Sequence, residues 1–139
     1  MNNNTNQRGQ TLIIIMTALF LGGSSLALGV ATTGKTLKEI EKSIKSDVRD
    51  ETNKQISLAL VKQWKKEGKA VRKQFNVQRK DLLKMLNNHN SRETDLVAAV
   101  NEILELDRQS SERVLDLHYE LRKSMTKQEW ESVFSISDK

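Results

Sequence analysis

Apolar residues occur along this chain first as one unbroken run and then as stripes. Residues 11–31, TLIIIMTALFLGGSSLALGVA, carry no charge and no proline. That length matches the roughly 20 residues a helix needs to cross a bilayer core. From Leu37 onward the apolar residues stand three and four apart, the spacing of a single helix face. Leu37, Ile40, Ile44 and Val48 form a first stripe, and Ile56, Leu60, Trp64, Val71, Phe75, Leu82 and Leu86 form a second. A third comprises Leu96, Val100, Ile103, Val114, Leu117, Leu121 and Met125.

The pattern predicts an all-α chain: a transmembrane helix, one long helix over residues 34–87, a second over 91–124 and a short terminal helix over 126–135. The stripe lapses at Asp50-Glu51-Thr52-Asn53-Lys54, which predicts a soft joint. Gly68 predicts a bend, because an interior glycine costs about 1 kcal/mol relative to alanine. Asn87-Asn88-His89-Asn90 has turn composition. Asn90 with Glu93, and Thr126 with Glu129, have capping-box spacing. Two helices joined by so short a turn bury both stripes by lying antiparallel as a helical hairpin. Trp64, Phe75, Leu82, Ile103 and Leu117 are its predicted core.

Length then raises a difficulty. At 1.5 Å per residue the first helix would be about 80 Å long and the second about 50 Å. The stripe Leu37, Ile40, Ile44 and Val48 is left without a partner in its own chain. Side chains of this kind lose roughly 1.5–3 kcal/mol each relative to burial. The stripe is therefore a predicted interface, either with another copy of this chain (a dimer or higher oligomer) or with a different membrane protein.

Charge adds a second asymmetry. Residues 35–84 hold 15 basic and 7 acidic side chains, whereas those from Ser91 onward hold 7 basic and 11 acidic. Helices of opposite sign attract, although each exposed pair is worth only about 0–1 kcal/mol. The run Lys62, Lys65, Lys66, Lys69, Arg72, Lys73, Arg79 and Lys80 reads as a solvated face partly neutralised by the acidic helix. No nucleic-acid motif or aromatic interleaving accompanies it, so no nucleic-acid partner is expected.

The apolar run is too long for a signal-peptide core of about 7–15 residues, and only Arg8 precedes it. An uncleaved anchor in the lipid bilayer is the reading, with Gly29-Val30-Ala31 as the alternative cleavage site. Ala18 and Gly22, and Gly23, Ala27 and Ala31, are small residues four apart that let another membrane helix approach. Orientation draws on opposed signals. Lys35, Lys38, Lys42, Lys45 and Arg49 follow the run, which by the positive-inside rule favours a cytoplasmic domain. Arg8-Gly9-Gln10-Thr11-Leu12-Ile13, however, resembles the entry of pilin-like and Tad-type envelope proteins, whose amino end stays cytoplasmic; the glutamate of a prepilin span is missing.

The later segment, Leu115-Asp116-Leu117-His118-Tyr119-Glu120-Leu121-Arg122 followed by Met125-Thr126-Lys127-Gln128-Glu129-Trp130, resembles the periplasmic heavy-metal-resistance and stress-adaptor proteins of the CpxP and Spy type. Those are hooked helical hairpins that dimerise, many with a Leu-Thr-x-x-Gln turn. Here Met stands for Leu, and Gln comes one place early. The resemblance covers roughly residues 55–135. It implies a chaperone-like or sensor-adaptor role in the periplasm, beside a bacterial inner membrane.

The chemistry needed for other functions is not displayed. The chain has no cysteine and two histidines, which removes disulfides, thiolate metal sites and thiol nucleophiles. His89 falls in the turn. His118 is expected at the edge of its helix face, with Arg122 one turn on, a cation that repels a metal. No metal, cofactor or catalytic residue is predicted, and the chain is not expected to be an enzyme. The expected function is that of a single-pass, membrane-anchored adaptor working by protein–protein contact. The alternatives are an accessory subunit of an envelope complex, or a cytoplasm-facing basic tether for nucleic acid or anionic lipid.

Overall fold

The computed structural model describes residues 35–134. They form four helices: α1 (Leu37–Asp47), α2 (Glu51–Asn87), α3 (Glu93–Lys123) and α4 (Lys127–Phe134). The apolar run at 11–31, with its small residues Ala18, Gly22, Gly23, Ala27 and Ala31, lies outside the described residues. Among the described residues no helix is long and apolar enough to cross a membrane.

The expected helix over 34–87 is two helices, and the break is capped on both sides. Val48 closes α1 with an extended backbone, and Asp50 opens α2, its carboxylate accepting from the Asn53 amide at 2.7 Å. The lapse in the apolar stripe is therefore a helix start. An aspartate cap is worth about 1 kcal/mol to the helix it opens. At its other end α1 begins in a capping box of Thr36 and Glu39.

The break lets α1 turn back along α2. Glu41 pairs with Lys65, and the stripe of α1 meets Val61 and Trp64. Ile40 and Ile44 are 0% exposed and Val48 is 1% exposed; Leu37 packs half-buried against the same cluster. This corrects the expectation that Leu37, Ile40, Ile44 and Val48 await another chain. Folding back resolves the length mismatch, burying inside one chain the stripe that a straight helix would leave in water.

Contacts between α2 and α3 run in opposite order along the two helices. Ser57 meets Ser124 at 2.8 Å, Glu67 meets Arg113 at 3.2 Å, and Phe75 and Leu82 cluster with Val100, Ile103 and Leu106. Because the Ser124 hydroxyl proton goes to the Leu121 carbonyl, Ser57 is the donor in the serine pair. Gly68 lies within one unbroken helix, Glu51–Asn87. Asn90 does not cap α3, which begins one turn after the Asn88 turn with Arg92 at its start and no side-chain cap.

A short fourth helix closes the lower end. Thr126 and Glu129 form the capping box of α4. The same Glu129 accepts from the Arg49 amide at 2.8 Å, tying α4 to the α1–α2 corner. Ser132 bonds Asp47, and the Lys35 ammonium donates to the Val133 carbonyl. The molecule thus has a base of four helix segments and an arm of two. Trp64 and Leu117 lie in the base cluster, and Phe75, Leu82 and Ile103 in the arm cluster, all buried.

Candidate interaction surfaces

Three features stand out beyond the core, and two are surfaces. Along α3, Val97, Leu104 and Leu115 are separated by 7 and 11 residues, each close to a whole number of helical turns, so they fall on one line. Tyr119 stands one turn further. All four are exposed, Leu115 at 65% and Tyr119 at 59%. They face away from the buried line Val100, Ile103, Leu106, Leu117 and Leu121. Arg108 interrupts the stripe, clamped by Glu105 at 2.7 Å and by Glu112. That clamp, with Gln109, holds the Glu105 carboxyl down at about 2. Lys123 lies over the Tyr119 ring at 4.4 Å. The sequence reading missed this stripe because it followed only the core face. The signal was present as apolar residues left over at spacings of 7 and 11.

The second surface is the basic flank of α2, a groove of about 690 Å³ lined by Lys66, Lys69, Ala70, Arg72, Lys73, Asn76, Val77 and Lys80. Among the described residues none of its five cations is ion-paired. The expected neutralisation by the acidic helix does not take place. The ion pair that joins α2 to α3 runs the other way, with the acid, Glu67, on α2 and the base, Arg113, on α3. Three acids of α3, Glu105, Glu112 and Glu120, pair with Arg108 and Lys123 of their own helix.

The third feature is a ring cluster inside the base. His118 sits edge-on to Trp64, Trp130 and Phe134, with centroids at 6.2, 4.8 and 5.4 Å. Burial, and then the neighbouring Arg122, hold the imidazole below its ordinary range. His118 is half-buried and belongs to the packing of α4 on α3. Trp64 Nε1 is buried and has no hydrogen-bond acceptor among the described residues. His89 is exposed in the turn. Among the described residues no three His, Asp or Glu side chains gather as a metal site would require. Burial raises the pKa of Asp107, half-buried at the waist between the clusters.

No protein-family model, curated protein or solved structure matches this chain.

Proposed function

We propose that this protein is a membrane-anchored helical adaptor that acts through protein–protein contacts. A single span at residues 11–31 holds it to a bacterial inner membrane, with the helical domain on the periplasmic side. The hairpin of α2 and α3 is the working part, and α1 and α4 brace its lower end. The reading involves no catalysis and no cofactor. The observation that carries it is the exposed line Val97, Leu104, Leu115 and Tyr119, laid along a helix whose opposite face is already buried. Aligned apolar residues on an otherwise charged helix suit a helix-in-groove or client-holding contact. The likeness to the periplasmic stress-adaptor hairpins supports the same role.

A photocrosslinking residue at Leu104 or Leu115 tests this in living cells, with the same residue at Gln74 as the control. Discrete adducts are expected from the two α3 positions and none from Gln74. They should disappear in a Val97→Glu variant, whose helicity should match the parent. Identical adduct patterns at all three positions, or none, would overturn the reading. A carboxyl-terminal alkaline phosphatase fusion should be active; an inactive one would place the domain on the cytoplasmic side.

A further inference from the structure

The described chain enters at Lys35, whose ammonium holds the Val133 carbonyl of α4, and α1 then passes Lys65 at the foot of the basic flank of α2. Because α1 runs back along α2 with Glu41 against Lys65, Lys35 lies six residues further up. At 1.5 Å per residue that is about 9 Å, which puts the chain entry near the foot of the basic flank, where Lys35 is held to α4. Only Thr32, Thr33 and Gly34 separate Lys35 from the apolar run at residues 11–31. Four peptide steps of at most about 3.6 Å span no more than about 14 Å. A bilayer carrying that run therefore lies within about 14 Å of Lys35, not at the end of a long stalk.

The flank of α2 at this level is basic. Lys65, Lys69, Arg72 and Asn76 follow at spacings of four, three and four, which places them on one side of the helix, the side α1 covers lower down. Lys66, Lys73 and Lys80 widen the strip, and Ala70 and Val77 give it an apolar floor. Lys66, Lys69, Arg72, Lys73 and Lys80 have no acidic partner among the described residues. Glu67, the acid within this stretch of α2, is turned to α3. The opposite flank, the α2–α3 groove lined by Gln74, Gln78 and Gln109 among others, has no cation in its lining.

We infer that the strip Lys66, Lys69, Arg72, Lys73 and Lys80 docks on the anionic phospholipid headgroups of the bilayer that anchors the chain. Each basic side chain held at an anionic surface strengthens attachment about fivefold. The tether keeps the strip at high local concentration over that surface. Docking would lay α2 along the membrane and turn the arm flank bearing Gln109 away from it. The inference rests on the anchor reading above. It adds which face meets the lipid and which lipid chemistry holds it.

The chain has no cysteine, so single fluorescent labels are clean. The full-length protein is reconstituted in nanodiscs whose lipids carry a headgroup quencher. The label is placed at Asn76→Cys, in the strip, or at Gln109→Cys, on the far flank. With 30% phosphatidylglycerol the Asn76 label should be quenched at least threefold more than the Gln109 label. The difference should vanish in pure phosphatidylcholine, in 1 M salt, and in a Lys69→Glu, Lys73→Glu variant, both positions being exposed. If the chain enters nanodiscs but both labels are quenched alike, docking is wrong and the anchor stands. Quenching that persists in phosphatidylcholine also overturns it, as does release of the Asn76 label from the anionic disc by a stoichiometric oligonucleotide or acidic protein. A chain that never enters the discs removes the anchor, and the docking with it.

Discussion

The base and the arm are built from the same two long helices, yet they are held differently. In the base, α1 and α4 wrap the lower turns of α2 and α3, and Ile40, Ile44, Leu121 and Val133 are fully buried. Hydrogen bonds from Glu129 and Ser132 fasten the wrap at the α1–α2 corner. The arm has only the facing stripes of α2 and α3, with Phe75, Leu82, Val100, Ile103 and Leu106 as its buried core. Two helices have too little surface to enclose one another. A segment as short as α1 supplies the missing cover only where the chain turns back on itself. Stability is therefore concentrated where the chain enters, while the arm offers long solvent-facing surfaces.

The strongest way to break this contrast is to place a charge in the base. Ile44→Glu leaves an unpaired carboxylate in a site with no exposure and should cost roughly 3–5 kcal/mol. Thermal melts should show the base lost. An interface between chains would instead lose only assembly, so a parent-like melt would refute the intrachain packing of α1. Alanine pairs sharpen the comparison. Leu121→Ala in the base should cost about 3–5 kcal/mol and Leu82→Ala in the arm about 2–3 kcal/mol, because the thinner arm can collapse onto the gap. Urea unfolding of the two variants checks the order. Asp50→Ala removes the cap that separates α1 from α2 and should cost about 1 kcal/mol.

The smallest effect is one of pH. Burial lowers the His118 pKa below its ordinary 6.5, so the folded state binds fewer protons there than the unfolded state. Its contribution is complete above about 6.5 and is lost as pH falls through that value toward the lowered one. The melting temperature should decline over this window in the parent and stay flat in His118→Phe. A parent that gains stability on acidification from pH 7 to 5.5 would contradict the lowered pKa of the half-buried His118. The carboxylates lowered by hydrogen bonds, Glu39 and Glu129 among them, act only below about 4.5.

Helix content and the stripes were legible because period alone decides them. Residues such as Trp64, Leu82 and Leu117 lie on faces that any pairing of these helices would bury. The turn-back of α1 was not legible. Asp47-Val48-Arg49-Asp50 contains no glycine or proline, and without a tertiary contact its one strong signal, a capping aspartate, looks like a polar lapse in a continuing helix. The partner of α1 was equally hidden, since Trp64 already serves the stripe that meets α3 and Val61 falls outside that stripe. Net charge matches the pairing of α2 with α3 but not its contacts: the cross-helix ion pair is Glu67 with Arg113, and the basic run of α2 lies away from the acids of α3. The ring cluster at His118 depends on α4 returning to α3, which no local pattern announces. The outer stripe of α3 is legible in the sequence as Val97, Leu104 and Leu115 at spacings of 7 and 11.

The fold-back of α1 underlies both the buried stripe and the position of the chain entry, and one distance tests it. Spin labels at Lys38→Cys and Lys69→Cys, in full-length protein diluted with unlabelled chain, report the intramolecular separation by double electron–electron resonance. With helices packed 8–10 Å apart and α1 reversed, these exposed positions should lie about 10–20 Å apart. A continuous helix from 34 to 87 would separate them by about 46 Å. A distribution centred near the longer distance would contradict the fold-back, and with it the base as described.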